Sequence, residues 1–237
     1  MSNLRTLIIP PVHERLDMLD ACESLIDRAE RVVVMGNLFD TLDTHNFVAG
    51  MCTWLLSHSK DRKFTFLYGP HDAHYVFKHR WFRCAGYNEE TQRKVDTYLA
   101  EVDFTDWKLW TKAGDYLVSH AGFCPNTQRL ITPDAHKQAL ENARKDGFHP
   151  LWMPGECRGG PVGATGGPLW LDWDKEFKPI LDLQERPINQ IVAHTEHADG
   201  KVHMRGKNYS MNCQFKHVLW VDGDKVTIQS VTVKGAA

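Results

Sequence analysis

Val32-Val33-Val34-Met35-Gly36-Asn37-Leu38-Phe39-Asp40 is the stretch on which the reading of this chain turns. Three β-branched residues and Met35 predict a buried strand, which Gly36-Asn37 breaks. Asp40 follows three residues later. In an α/β sheet the side chains that do chemistry sit just beyond the carboxyl ends of the strands, so Asn37 and Asp40 stand where a site is expected.

Working outward, Arg5–Ile9 predicts a first buried strand, stopped by Pro10-Pro11 because proline cannot donate to a ladder. Leu16, Leu19, Cys22, Leu25 and Ile26 recur at helical spacing between this strand and the next. A strand–helix–strand unit of this kind implies a parallel pair joined by a right-handed crossover. Residues 44–58 predict a second helix with Thr44 as its cap, and 63–68 a third strand ending in Gly69-Pro70-His71-Asp72. Residues 73–112 read as helices and loops. Tyr116–His120 and Gln190–His194 read as two more strands, each delivering a histidine, with a helix over 134–146 between them. The Gly- and Pro-rich run 154–168 lacks the G-K-[S/T] of a phosphate-binding loop and reads as a long surface loop. Residues 202–233 alternate short β runs with turns and predict an antiparallel meander. Without a repeat or a linker, residues 1–237 read as a single α/β domain.

Composition sets limits. Of the 237 residues 42% are hydrophobic and 24% charged, and the net charge is −2, which gives no clear nucleic-acid surface. No apolar run approaches the ~20 residues of a membrane span. The six cysteines form no C-x-x-C pair and no secretory leader opens the chain, so the expectation is a cytoplasmic protein with reduced thiols. Thirteen histidines are the unusual count. His13, His71, His120 and His194, with Asn37, all follow predicted strands. Such a convergence suits metal or phosphate chemistry, because imidazole is both a ligand and a proton carrier near neutral pH.

The order of these segments resembles the calcineurin-like metallophosphoesterases, including the small serine/threonine-type phosphatases of bacteria and phages. That family carries GDxHG, GDxxDRG, GNH followed by D or E, HAG or HGG, and GH. The matching stretches are Pro10–Glu14, Gly36–Leu42, Gly69–Asp72, His120-Ala121-Gly122 and Ala193-His194-Thr195. Leu169-Trp170 stands where such phosphatases carry Leu-Trp. The resemblance runs in order from about residue 5 to 212. It implies two mixed β-sheets packed as a sandwich flanked by helices, with a dinuclear metal site between them. It further implies that His71, with Asp72 beside it, serves acid catalysis, that His13, Asn37, His120 and His194 belong to the metals, and that the substrate is phosphorylated.

The departures from the family pattern fall on ligand positions. Pro11 replaces the first Asp, Asn37 the bridging Asp, Pro70 the ligand Asn, and Thr41 the phosphate-binding Arg. Two dications about 4 Å apart repel by roughly 16 kcal/mol at an effective dielectric of about 20. No carboxylate at the matched ligand positions offsets that. The expectation is therefore at most one divalent ion, zinc or manganese, or none, and a family member impaired or inactive as a phosphatase that acts as a binding or regulatory module for a phosphorylated small molecule or protein. Asp40, Arg158 and His197 are the candidate substrate-binding residues. The alternative is an active phosphoesterase with a rebuilt, histidine-rich site that draws on Asp40, Asp72, His74 and His197. A third reading leaves the histidines to packing and gives the tryptophans a partner interface.

Overall fold

The computed structural model describes residues 4–41, 47–145, 147–183 and 188–233. The strands are β1 (Thr6–Ile9), β2 (Arg31–Val34), β3 (Phe64–Phe66), β4 (Trp110–Ala113), β5 (Tyr116–Ser119), β6 (Gln190–Val192), β7 (His203–Arg205), β8 (Asn208–Ser210), β9 (His217–Asp222) and β10 (Lys225–Ser230). The helices are α1 (Leu16–Arg28), α2 (Val48–His58), α3 (Pro70–Phe77), α4 (Glu89–Tyr98), α5 (Pro125–Gln128), α6 (Pro133–Arg144) and α7 (Lys178–Asp182). Two five-stranded sheets result, ordered β10-β9-β1-β2-β3 and β4-β5-β6-β8-β7.

Both sheets are mixed, as expected. β1, β2 and β3 run parallel, with β9 and β10 antiparallel on one edge. In the second sheet β5, β6 and β8 run parallel and β4 and β7 are antiparallel. The period of two along a strand divides the core. Ile8 and Val33 face inward and join Val118, Ile191, Leu219 and Val221 in the apolar layer between the sheets. Leu7, Ile9, Val32 and Val34 face the other way, onto Met18, Leu19 and Cys22 of α1 and Met51 and Leu55 of α2. The outer side of the second sheet is covered by Leu171, Trp173 and Phe177. Strands buried on both faces explain why β1 and β2 read as unbroken apolar runs.

Three expectations change. Residues 202–233 do not form one meander: the β7–β8 hairpin lies in the second sheet, beside β6, and the β9–β10 hairpin lies in the first, beside β1. Both hairpins have the local turn chemistry that predicted them, but the partner strands are far away in sequence. Pro70-His71-Asp72 does not merely end a strand; it opens α3, with Pro70 at the first position, where a missing N–H costs nothing. β4 falls within a stretch read as helix and loop. The expected cap Thr44 lies outside the described residues, and α2 begins at Val48. The helix expected over 134–146 is α6, capped by Thr132, whose hydroxyl accepts from the Ala135 N–H.

Of the tryptophans, Trp107, Trp152 and Trp173 are core, each at most 2% exposed. All six cysteines are free. No helix among the described residues is long and apolar enough to cross a membrane.

Candidate functional site

Five strand ends meet where the two sheets adjoin. His13 follows β1, Asn37 and Asp40 follow β2, His71 lies in the first turn of α3 behind β3, His120 follows β5 and His194 follows β6. The imidazole of His120 ties the sheets together, its Nδ1–H donating to the Met35 carbonyl at 2.6 Å. The loops touch because two glycines let them. A Cβ on Gly36, at φ +78°, would lie 2.3 Å from the Gly69 nitrogen, and one on Gly69 would lie 2.2 Å from Asn37 Oδ1. His13, Glu14, Asn37 and Asp40 all take positive φ, between 46° and 64°. Left-handed backbone at four residues that are not glycine is costly and gathers where surrounding structure imposes it.

The proton inventory follows from the partners. His13 Nδ1 lies 3.0 Å from the Asp40 carbonyl, which only accepts, so Nδ1 carries the hydrogen and Nε2 a lone pair. Asn37 Nδ2 points at that lone pair from 3.4 Å. By the same logic His120 Nε2 carries a lone pair, and His194 Nδ1–H donates to it at 3.3 Å. That leaves His194 Nε2 as a buried lone pair with no partner. Burial lowers the basicity of all three rings, His13 to about 4, His120 to about 3 and His194 well below its ordinary value, so each is neutral at pH 7.

The carboxylates are occupied. Asp72 is fully buried, and its oxygens accept from the backbone N–H groups of Asn37 (2.6 Å), Gly69 (2.9 Å) and Leu38 (2.8 Å). Glu14 accepts from the N–H groups of Asp40 and Phe47, each at 3.0 Å. Asp40 Oδ2 lies 2.8 Å from both His71 Nδ1 and His74 Nε2, and the Tyr75 hydroxyl donates to Oδ1. Burial opposes charge at Asp40, but these donors hold its carboxyl below the usual range. Burial also opposes charge at His71, yet the Asp40 carboxylate raises it well above its ordinary value. His71 thus remains an imidazolium with its side chain 20% exposed at the site.

Several candidates therefore stand elsewhere than expected. Asp72 does not reach into the site beside His71; it fastens the Gly36–Leu38 loop to the start of α3. Asp40 does not face a ligand, its side chain being 2% exposed and enclosed by three donors. His197 stacks on His203 with ring centroids 3.8 Å apart and shares a 2.7 Å hydrogen bond with Ser210 Oγ. Asn37 turns Oδ1 toward the His71 N–H at 3.1 Å, so its oxygen is already engaged. Arg158 is held by Asp172 at 2.6 Å, and its charge acts on His120 and His194. A cleft of about 220 Å³ opens beside His13, walled by Arg15, Thr41, Glu196, Asn212, Gln214 and Phe215. A larger groove, about 500 Å³, between Lys60 and Trp107 is lined by none of these histidines.

The sequence reading passed over Glu14, Tyr75 and Cys84. For Tyr75 a signal existed: His71, His74 and Tyr75 are spaced i, i+3, i+4, which places them on one face of α3. Glu14 and Cys84 lie in irregular backbone with no periodicity to mark them.

Asp40, His71 and His74 each bring a ligand atom within 4.8 Å of the others, a group that could hold a metal ion. Here they are one another's partners. A pair of dications does not fit the donors on the motif loops, because Glu14, Asp40 and Asp72 are all engaged and Pro11 and Pro70 offer nothing. For a single nitrogen-seeking ion of the zinc kind the open donor is His194 Nε2, a buried lone pair with no partner; the His120 Nε2 lone pair beside it is taken by the His194 N–H and would join only if that hydrogen bond gave way.

No protein-family model matches the sequence, and no curated protein does. Solved structures match. The cold-active protein-tyrosine phosphatase of a psychrophilic Shewanella species has a TM-score of 0.62 at 16% identity, covering 97% of this chain and 80% of that one. A further cold-active protein tyrosine phosphatase structure gives 0.65 at 18% identity, over 96% and 78%. A protein serine/threonine phosphatase from Saccharomyces cerevisiae gives 0.59 at 16% identity, over 99% and 82%. With its two mixed sheets and the strand-end histidines, the chain has the calcineurin-like phosphoesterase fold.

Proposed function

We propose that the chain binds a phosphorylated small molecule or protein at the five-loop site and is impaired or inactive as a phosphatase, serving as a binding or regulatory module. One observation carries this reading: Glu14, Asp40 and Asp72, the carboxylates on the first three motif loops, are closed by internal donors, so beside the histidines a ligand meets mainly imidazole, amide and guanidinium, with the exposed Glu196 on the cleft wall. His71 supplies positive charge at the floor. Arg158, anchored by Asp172, supplies a second cation beside His194. Neutral, desolvated His13 and His120 add no negative charge to repel a phosphate.

A zinc-type ion that displaced the His194–His120 hydrogen bond would be held by these two rings and would supply Lewis acidity toward a phosphoryl oxygen. The chain's own residues do the rest. Asp40 fixes the His71 ring and keeps its proton, and Asp72 holds the loop that presents Asn37.

The second reading, an active metal-dependent phosphoesterase, is favoured by the His71–Asp40 pair. A charged imidazole at the site can still hand a proton to a leaving oxygen.

Calorimetry with inorganic phosphate, run in chelator and again with one equivalent of zinc, tests binding. Hydrolysis of p-nitrophenyl phosphate and its bis-ester, with zinc or manganese supplied, tests turnover. Binding without hydrolysis above a His71→Ala control supports the module; hydrolysis well above that control favours the enzyme. Absence of phosphate binding in both conditions refutes the module.

A further inference from the structure

The cleft beside His13 differs in character from the floor of the five-loop site. His13 is a wall of the cleft and also the edge-to-face neighbour of His71, with ring centroids 5.2 Å apart. The cleft is thus one imidazole away from the cation offered to a phosphate, yet its own walls are rich in acceptors. Glu196 is exposed, and among the described residues it has no cation in ion-pair range; its side-chain partner is the Gln214 amide, at 3.4 Å. The Lys216 ammonium, which is not part of the cleft wall, donates to Gln214 Oε1 at 3.2 Å, so it is the amide NH₂ that faces Glu196. Asn212 Nδ2 donates to the His194 carbonyl at 3.5 Å. A carbonyl only accepts, which leaves Asn212 Oδ1 as an acceptor with no protein donor among the described residues.

Arg15, on the same wall, brings no surplus charge. Asp17 takes its guanidinium in two bonds, Nε to Oδ1 at 2.8 Å and Nη2 to Oδ2 at 2.5 Å. The same guanidinium lies 5.1 Å over the Phe215 ring. Gln214 and Phe215 take φ of 53° and 61°. Left-handed backbone at two successive residues other than glycine is costly and persists where the surrounding structure imposes it; here it sets an amide and an aromatic ring on the wall of the cleft.

Resting on phosphate binding at the five-loop site, we propose that the cleft is a cation subsite and that the ligand is a phosphate ester carrying an ammonium group on its organic arm. An ammonium in the cleft meets a carboxylate, an amide oxygen and an aromatic ring, the three kinds of group that receive a cation. With Arg15 balanced by Asp17, Glu196 is the uncompensated charge of the walls. An anionic arm would be repelled by it. A plain alkyl arm would strip water from Glu196 and Asn212 Oδ1 and return no hydrogen bond. A cleft of about 220 Å³ holds a short aminoalkyl chain, which a small amino-alcohol phosphate supplies, as does a lysine next to a phosphorylated residue.

The test is calorimetry on the full chain at pH 8, where the phosphates are dianions, in whichever condition, chelator or zinc, inorganic phosphate binds. Phosphoethanolamine is compared with n-propyl phosphate, which has the same shape and no charge on its arm. A phosphoserine peptide with lysine after the phosphoserine is compared with its glutamine counterpart. In at least one pair the ammonium-bearing member is expected to bind about fivefold tighter, as an exposed ion pair with a cation–π contact gives. A preference in the first pair marks the small ester as the source, and one in the second pair alone marks a basic phosphopeptide. In Glu196→Gln the ratio falls below about twofold, and in Glu196→Lys it inverts. Each ratio is taken within one protein, so a general weakening of the site does not mimic these changes. Should Glu196→Gln not fold, Asp17→Asn serves instead, since it leaves the Arg15 charge unbalanced and lowers the ratio. Equal affinities within both pairs, or a preference unchanged in Glu196→Gln, overturn the proposal and leave phosphate binding standing. Absence of phosphate binding in both conditions refutes the five-loop site as a phosphate site, and the cation subsite with it.

Discussion

Asp72 is where the structure makes its sharpest demand. Its carboxylate is fully buried and satisfies three backbone N–H groups at 2.6, 2.8 and 2.9 Å, from Asn37, Leu38 and Gly69. Two of these belong to the loop after β2 and the third to the residue preceding α3. Asp72→Ala leaves three buried donors without an acceptor. Each such donor costs about 1–3 kcal/mol, so about 3–6 kcal/mol is expected once some water entry is allowed for. Against a typical domain stability of about 5–15 kcal/mol, that is a large share. Asp72→Asn keeps one oxygen and turns an NH₂ toward the remaining donors; about 1–3 kcal/mol is expected. Guanidinium unfolding at pH 7.5, followed by both tryptophan fluorescence and far-UV dichroism, gives the two values. If Asp72→Ala unfolds within 1 kcal/mol of the wild type, the carboxylate is not the fastening described. If Asp72→Asn keeps wild-type stability yet abolishes phosphate binding, Asp72 acts on the ligand and its placement here is wrong.

Three further outcomes follow from single residues. Gly36→Ala would force a Cβ to within 2.3 Å of the Gly69 nitrogen at φ +78°; a loss above about 3 kcal/mol, or insoluble protein, is expected from expression and the same unfolding assay. His136 accepts from the Leu109 N–H and is lowered by burial to about 4. The unfolded chain, with the ordinary value of 6.5, binds more protons between these limits, so stability falls as pH drops from 6.5 toward 4. About 1–2 kcal/mol is lost by pH 5, and His136→Gln flattens that slope in unfolding curves taken at pH 7 and 5. Arg158→Gln removes an ion pair whose arginine is 32% exposed, so stability changes by less than about 1 kcal/mol, while calorimetry shows the phosphate Kd rising at least threefold; an unchanged Kd removes Arg158 from the site.

The sequence by itself determined the parallel pairing of β1 with β2 and the positions of the strand-end residues. β1 and β2 read as buried strands because both faces are covered, and the breakers Pro10-Pro11 and Gly36-Asn37 placed His13 and Asn37 at the ends of strands. His71, His120 and His194 followed from the same logic, since a parallel strand delivers its next residues to one edge. What only the tertiary structure decided is what each side chain faces. Asp40 and Asp72 looked equally available in sequence, yet one is enclosed by two histidines and a tyrosine, and the other by three backbone N–H groups contributed by two loops. His197, three residues after His194, belongs to a different neighbourhood because the chain turns toward β7 and β8. The β7–β8 and β9–β10 hairpins entered different sheets because strand pairing at long range is set by which apolar faces meet, not by the local turns that make each hairpin. Cys84 met His74 for a related reason: nothing in a ten-residue separation across an irregular segment fixes a distance, and only the packing of that segment against the buried face of α3 brought the thiol to within 3.3 Å of the imidazole.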